Sequence, residues 1–275
     1  MKSLKTPLRY PGGKSRAITK MVQYLPDMNK YKEYREPFLG GGSVALYMTK
    51  TYPHLEVWVN DLYEPLANFW QQLQHEADEI TTRLKAFKNA YPTPDRAREL
   101  FLESKELVND AGASLVTRAV SFYIVNKCSF SGLTESSSFS KQASDSNFSL
   151  RGIEKLPAYS KLIENWKITN LSYEDLLTDD RNIFTYFDPP YEIGIPIYGK
   201  RGELHRYFDH DKFASDCDGQ TNHQMISYNS TQIIRNRFKD WNAAEFDLTY
   251  SMRSTGDYMK NQAERKELVL TNYGI

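Results

Sequence analysis

Apolar positions along this chain fall into two periods separated by one gap. Ile18, Met21, Val22 and Leu25 recur at helical spacing and predict a helix after an opening loop. Arg35-Glu36-Pro37-Phe38 reads as short and extended, Gly40-Gly41-Gly42-Ser43 breaks it, and a helix is expected to start at Val44. Residues 55–59 read as a strand ending at Asn60-Asp61, with a helix from about Pro65, since proline is tolerated in a first helical turn. Residues 77–126 read as helical with mixed charge. From 128 to 150 the period disappears, and Phe130, Phe139 and Phe148 are spaced through Ser-rich sequence. A stretch that long without its own period is either disordered or functional. Strand candidates return at 166–171, 183–187, 224–228, 244–250 and 266–271.

Strands alternating with helices predict an α/β protein built on a doubly wound, mostly parallel sheet. The helical and Ser-rich middle then reads as an insertion. This gives a core from 1–75 and 160–275 and an inserted, mainly helical domain over 76–159. A length of 275 residues with 40% hydrophobic and 25% charged side chains is enough for both. The 35 basic and 35 acidic side chains cancel, so any phosphate-binding surface must come from local clustering. Cys128 and Cys217 are too few for a disulfide framework and fit a reducing cytoplasm. The N-terminus has no apolar signal core, and no run approaches the roughly 18 apolar residues of a membrane span. A cytoplasmic protein with no membrane partner is expected.

Two places carry candidate chemistry. Asp188-Pro189-Pro190-Tyr191 closes the apolar run 183–187. Its prolines end the strand ladder and leave carbonyls free, its acid is an acceptor, and its ring is a stacking face. That set suits a flat ring bearing an exocyclic amino group. The glycine run at 40–42 lets a ligand approach the backbone at a helix start. Asp61 lies 21 residues after Gly40, where nucleoside-binding α/β folds place an acid for ribose hydroxyls. Read from Gly40, the dinucleotide pattern is met in part, with Ala45 at its last position. A tight structural turn and a surface acid explain these residues equally well. Gly12-Gly13-Lys14-Ser15 fails as a triphosphate loop, because Leu8 stands where its first glycine is required.

Three motifs occur in order: Tyr10-Pro11-Gly12-Gly13-Lys14, then Glu36-Pro37-Phe38-Leu39-Gly40-Gly41-Gly42-Ser43, then Asp188-Pro189-Pro190-Tyr191. With Asn60-Asp61, Asn126-Lys127, Ser131-Gly132-Leu133, Ser227-Tyr228-Asn229 and the 267–273 segment, they make nearly the whole chain resemble the Dam-type (alpha group) adenine-N6 DNA methyltransferases. The resemblance implies a Rossmann-like core, S-adenosylmethionine as cofactor, and methyl transfer to N6 of an adenine flipped out of double-stranded DNA. It places Tyr10, Gly12 and Lys14 beside the methionine part of the cofactor and the catalytic pocket. Phe38, Gly40, Gly41, Gly42 and Ser43 form the loop beneath it, and Asp61 meets the ribose. Tyr173 is similar to the aromatic that meets the cofactor adenine, and Tyr198 to a pocket-lining tyrosine.

In the mechanism this implies, Asp188 and the Pro189 carbonyl accept from the amino group while Tyr191 stacks on the base. Neither Cys128 nor Cys217 sits in the Pro-Cys setting of a thiolate nucleophile, and no metal is implied. The insertion is the expected recognition domain. Lys127, Lys141 and Arg151 suit phosphate contacts, alongside Ser131. Phe130 or Leu133 fits a wedge into the vacated stack, and equally Phe130, Phe139 and Phe148 fit plain anchors. Glu135 stands where GATC-methylating members carry arginine, so a different target sequence is expected. A basic stretch over 199–206 fits a loop closing on DNA or a solvated surface. A cognate restriction endonuclease, a phage role and a solitary role fit alike, and a monomer or weak dimer is expected. The alternatives are cytosine-N4 or RNA adenine methylation, or a catalytically silent relative that binds DNA or the cofactor.

Overall fold

The structure, a computed structural model, describes residues 6–132, 137–192, 207–247 and 266–274. Strands β1 (Glu33–Glu36), β2 (Glu56–Asn60), β3 (Trp166–Thr169), β4 (Ile183–Phe187), β5 (His223–Asn229), β6 (Asn242–Asp247) and β7 (Lys266–Thr271) form one sheet. Their order is β3-β2-β1-β4-β5-β7-β6. The pairings among β1 to β5 are parallel, and β7 runs antiparallel between β5 and β6. The mostly parallel α/β sheet expected from the alternation is therefore present. β4 lies at its centre with all five residues buried. A parallel strand covered on both faces reads as an unbroken apolar run, which is why Ile183–Phe187 was legible. Strand order reverses between β1 and β4, and the crevice beyond their carboxyl ends is where open α/β sheets bind ligands.

Several boundaries differ from expectation for local reasons. β1 stops at Glu36, before Pro37, which has no N–H to give the ladder. β3 ends at Thr169, and β6 starts two residues earlier than expected, while 248–250 lie outside the described residues. The helix expected near Ile18 is a single α-turn, α1 (Ile18–Met21), flanked by 3₁₀ turns. It ends at Leu25, whose extended ψ of 142° suits the residue before Pro26. Helices α2 (Ser43–Thr51) and α3 (Glu64–His75) follow β1 and β2.

The helical region after residue 76 is three helices, α4 (Ala77–Ala90), α5 (Pro94–Leu107) and α6 (Leu115–Cys128). Thr93 caps α5 by accepting from the Arg96 amide, with Pro94 in its first turn. Ser114 caps α6 by accepting from the Thr117 amide. These helices share one apolar core with the sheet: Leu84, Phe101 and Tyr123 join Tyr34, Val57 and Phe184.

The Ser-rich stretch is pinned to this helical layer. Ser129 and Phe139 form an isolated antiparallel bridge, and Ser140 caps a short helix α7 (Lys141–Ser146). Lys105 on α5 donates to the Ser137 carbonyl at 3.0 Å. Phe148 is fully buried, and Phe139 packs 5.6 Å from the Phe101 ring, whereas Phe130 is 53% exposed. Two of the three phenylalanines are anchors and the third is not. Phe148→Ala is accordingly expected to cost about 3–5 kcal/mol of unfolding free energy, and Phe130→Ala to stay within about 0.5 kcal/mol. Urea denaturation followed by circular dichroism checks both.

Candidate active site

A cavity of about 460 Å³ opens at the crevice between β1 and β4. The glycine loop after β1 forms its floor. Gly40 and Gly42 have φ of 49° and 66°, backbone that L side chains rarely adopt. A Cβ at Gly42 would stand 2.8 Å from the Trp70 ring, and one at Gly40 would stand 3.0 Å from the Tyr10 ring. The loop is wedged between two aromatic side chains, which fixes its amides at the start of α2. Trp70 also donates to the Gly40 carbonyl at 3.2 Å. Asp61, at the end of β2, accepts from the Gly40 amide at 2.9 Å and the Tyr63 amide at 3.0 Å. Burial pushes its carboxyl up to about 6, while those two donors pull it back down.

One wall is aromatic. Phe38 stacks on Tyr173 at 5.6 Å and 29°, and the Phe208 ring lies 5.7 Å from Phe38. The Tyr173 hydroxyl donates to Asp216 at 2.7 Å, which fixes the ring. The opposite end is ionic. Lys14 is 2% exposed and donates to both Asp188 oxygens at 2.7 and 2.8 Å and to the Gly12 carbonyl at 3.0 Å. Glu267 on β7, 1% exposed, lies 3.4 Å from the same ammonium and accepts from the Tyr191 hydroxyl at 2.5 Å. Asp188 keeps 22% exposure toward the cavity. Burial pushes its carboxyl up to about 6, and Glu267 adds to this while Lys14 and Tyr191 oppose it.

The cavity thus brings together Tyr10, Gly12, Lys14, Phe38, Gly40, Gly41, Gly42, Ser43, Asp61, Tyr173, Asp188 and Pro190, residues from five separate parts of the chain. Pro189 is buried behind them, and Tyr191 sits beside Tyr228 with ring centroids 5.8 Å apart. Tyr198, Leu133, Glu135 and the basic stretch 199–206 lie outside the described residues, as does the side chain of Ser131. Lys141 and Arg151 are exposed. Lys127 corrects the expectation of a surface phosphate ligand. It is only 9% exposed, with its ammonium 5.2 Å from the Tyr123 ring centroid. Burial, with Arg9 nearby, pulls its pKa down to about 8, so this lysine belongs to the interior.

The glycine loop, Lys14 and Asp188 lie within residues 10–252, which match the family model of the D12 class N6 adenine-specific DNA methyltransferases. The chain belongs to this family. Among curated proteins it is 27% identical over 199 residues to the type II methyltransferase M.MjaIII of Methanocaldococcus jannaschii, covering 67% of this chain and 68% of that one. It is 23% identical to the type II methyltransferase M1.LlaDCHI of Lactococcus lactis subsp. cremoris over 97% of this chain and 94% of that one. A third match, 32% identical over 126 residues, is the DNA N-6-adenine-methyltransferase of Escherichia phage P1, covering 46% of this chain and 15% of that one. This D12 enzyme is an adenine-N6 DNA methyltransferase. Among its described residues no helix is long and apolar enough to cross a membrane.

Three site residues of the methyltransferase escaped the sequence reading of roles. Glu36 is fully enclosed, accepts from the Tyr34 hydroxyl at 2.6 Å, and is pushed well above the usual carboxylate range by burial. Phe208 completes the aromatic wall, and Glu267 touches both Lys14 and Tyr191. The one available signal was an acid at the head of an otherwise apolar strand, Glu267 before Leu268-Val269-Leu270. The glycine loop itself is testable. Gly42→Ala is expected to cost about 1–2 kcal/mol from its left-handed backbone alone, with the Trp70 contact adding to this. A urea midpoint unchanged from wild type would contradict the wedge.

Proposed function

We propose that the cavity binds S-adenosylmethionine and that Asp188-Pro189-Pro190-Tyr191 holds the target adenine, flipped from double-stranded DNA, at its ionic end. The observation that carries this reading is the meeting of a Cβ-free glycine cradle, an acid at the end of β2 and an aromatic wall with the Lys14–Asp188 pair in one crevice. The fit to a nucleoside cofactor bearing a charged amino acid is good at each part. Gly40, Gly41 and Gly42 admit close backbone approach, Asp61 presents carboxylate lone pairs to ribose hydroxyls, and Phe38 with Tyr173 offers flat faces to a purine. The cofactor, when bound, supplies an electrophilic methyl group on sulfur.

The chain's own groups do the rest. Asp188 and the Pro189 carbonyl accept from the two N6 hydrogens, which aims the nitrogen lone pair at the methyl and favours the positive charge developing there. Tyr191 covers the extrahelical ring, a contact worth about 1–3 kcal/mol in comparable settings. The helical insertion, 76–159, serves as the target recognition domain. Its exposed Lys141 and Arg151 are suited to phosphate contacts, and the exposure of Phe130 supports its reading as a wedge for the gap left by the base. The names of the type II relatives support a restriction–modification setting with a cognate endonuclease.

The test is N6-methyladenine formation from labelled S-adenosylmethionine on duplex DNA, with single-molecule sequencing to identify one methylated motif. Asp188→Ala is expected to lower kcat by about 10²-fold or more, in line with loss of one transition-state contact. In the wild type kcat/KM is expected to fall as pH drops through about 6, because a protonated Asp188 loses acceptor capacity. Wild-type turnover by the Asp188→Ala variant would overturn the role.

A further inference from the structure

Lys14 faces a conflict that the site must resolve. Its ammonium contacts both Asp188 oxygens, at 2.7 and 2.8 Å. Those are also the oxygens an adenine amino group would approach, so the ammonium and the amino group compete for the charge of one carboxylate. A buried ammonium cannot simply withdraw, because an unpaired charge in the interior costs several kcal/mol. It needs another acceptor within reach. Glu267 provides one at 3.4 Å, on the far strand β7, while the Gly12 carbonyl holds a further ammonium hydrogen at 3.0 Å. Glu267 also accepts from the Tyr191 hydroxyl and so fixes the edge of the ring expected to cover the base. Residue 267 lies beyond the segment matched by the family model, 10–252.

We propose that Glu267 is a positioning residue for methyl transfer: it receives the Lys14 ammonium as the adenine amino group takes up Asp188, and it sets the Tyr191 ring over the base. The assignment rests on the reading of Asp188 as the amino-group acceptor. Two carboxylates share one ammonium here, and the second of them, Glu267, makes Asp188 harder to ionise. Other groups face Asp188 as well. Glu36 and Tyr34 approach from β1, Tyr186 from β4 itself, and Tyr228 from β5. Burial pushes the three phenols and the Glu36 carboxyl up from their ordinary values. Lys14, Tyr191 and Glu267 are the partners that tune Asp188.

The experiment compares wild type with Glu267→Gln and Glu267→Asp, using duplex DNA and labelled S-adenosylmethionine over a range of pH. Glu267→Gln is expected to lower kcat by about 100-fold or more, the scale of one preorganised electrostatic contact in a dry site. The KM for the cofactor should stay within about twofold, because Glu267 does not line the cavity that would hold it. The acidic limb of kcat/KM should move to lower pH, because removing an anion makes Asp188 easier to ionise. A residue that merely supported the fold would leave that limb in place. Glu267→Asp keeps the charge and should hold the wild-type limb with a reduced kcat. A wild-type kcat in Glu267→Gln, or a reduced kcat with an unmoved limb, overturns the assignment. If Glu267→Gln does not fold, Glu267→Asp decides: a full wild-type kcat there overturns it. Failure of the wild type itself to make N6-methyladenine would instead sink the reading of the Asp188 site.

Discussion

The buried ion pair between Lys14 and Asp188 is the constraint on which the rest of this structure depends. An ammonium with 2% exposure is tolerable only with its charge answered and its hydrogens used. Satisfying it draws the Tyr10–Lys14 turn, near the start of the chain, onto the end of the central strand β4. That placement puts the Tyr10 ring against Gly40 and Gly41, which in turn leaves the glycine loop one position, with Trp70 closing its other side. The pair therefore organises the cavity floor as well as its ionic end. The same cavity also carries the aromatic wall of Phe38, Tyr173 and Phe208.

The same N-terminal segment ties the site to the helical insertion. Asn126 on α6 is fully buried and treats Arg9 as a strand partner would, accepting from its amide at 2.9 Å and donating to its carbonyl at 2.6 Å. Its remaining amide hydrogen reaches the Gly132 carbonyl at 3.1 Å. Gly132 has a φ of 74°, and a Cβ there would meet the Arg9 backbone within 3 Å. The Ser-rich stretch and the Tyr10–Lys14 turn thus share one buried amide, with Tyr10 a single residue from Arg9.

What could be read in the sequence was what obeys a short-range rule. The apolar run Ile183–Phe187 announced a buried parallel strand, Pro37 and the glycines marked the end of β1, and Asp188-Pro189-Pro190-Tyr191 showed its chemistry in four consecutive residues. Asp61 was legible because its distance from Gly40 is set by one strand–helix–strand unit. The partners of these groups were not. Nothing local says that Lys14 meets Asp188 across a separation of 174 residues, or that Glu267 joins them from β7. Lys127 misled because a lysine in a polar setting is ordinarily solvated, whereas here α6 is enclosed by other helices and the side chain lies along Tyr123. The middle helices were visible as composition, but their breaks required the caps at Thr93 and Ser114.

The position of β7 bears on when this enzyme comes into being. It follows β6 in sequence yet sits inside the sheet, hydrogen-bonded on both sides, so β5 and β6 cannot be finished neighbours before it arrives. Contacts of such long sequence separation are slow to form, because the chain loses loop entropy before they reward it. A growing chain can hold its glycine loop and its Asp-Pro-Pro-Tyr turn well before β7 is in place. It would then hold the Lys14–Asp188 pair without Glu267 beside it. The cluster of Lys14, Asp188 and Glu267 is in this way completed only when the sheet has closed.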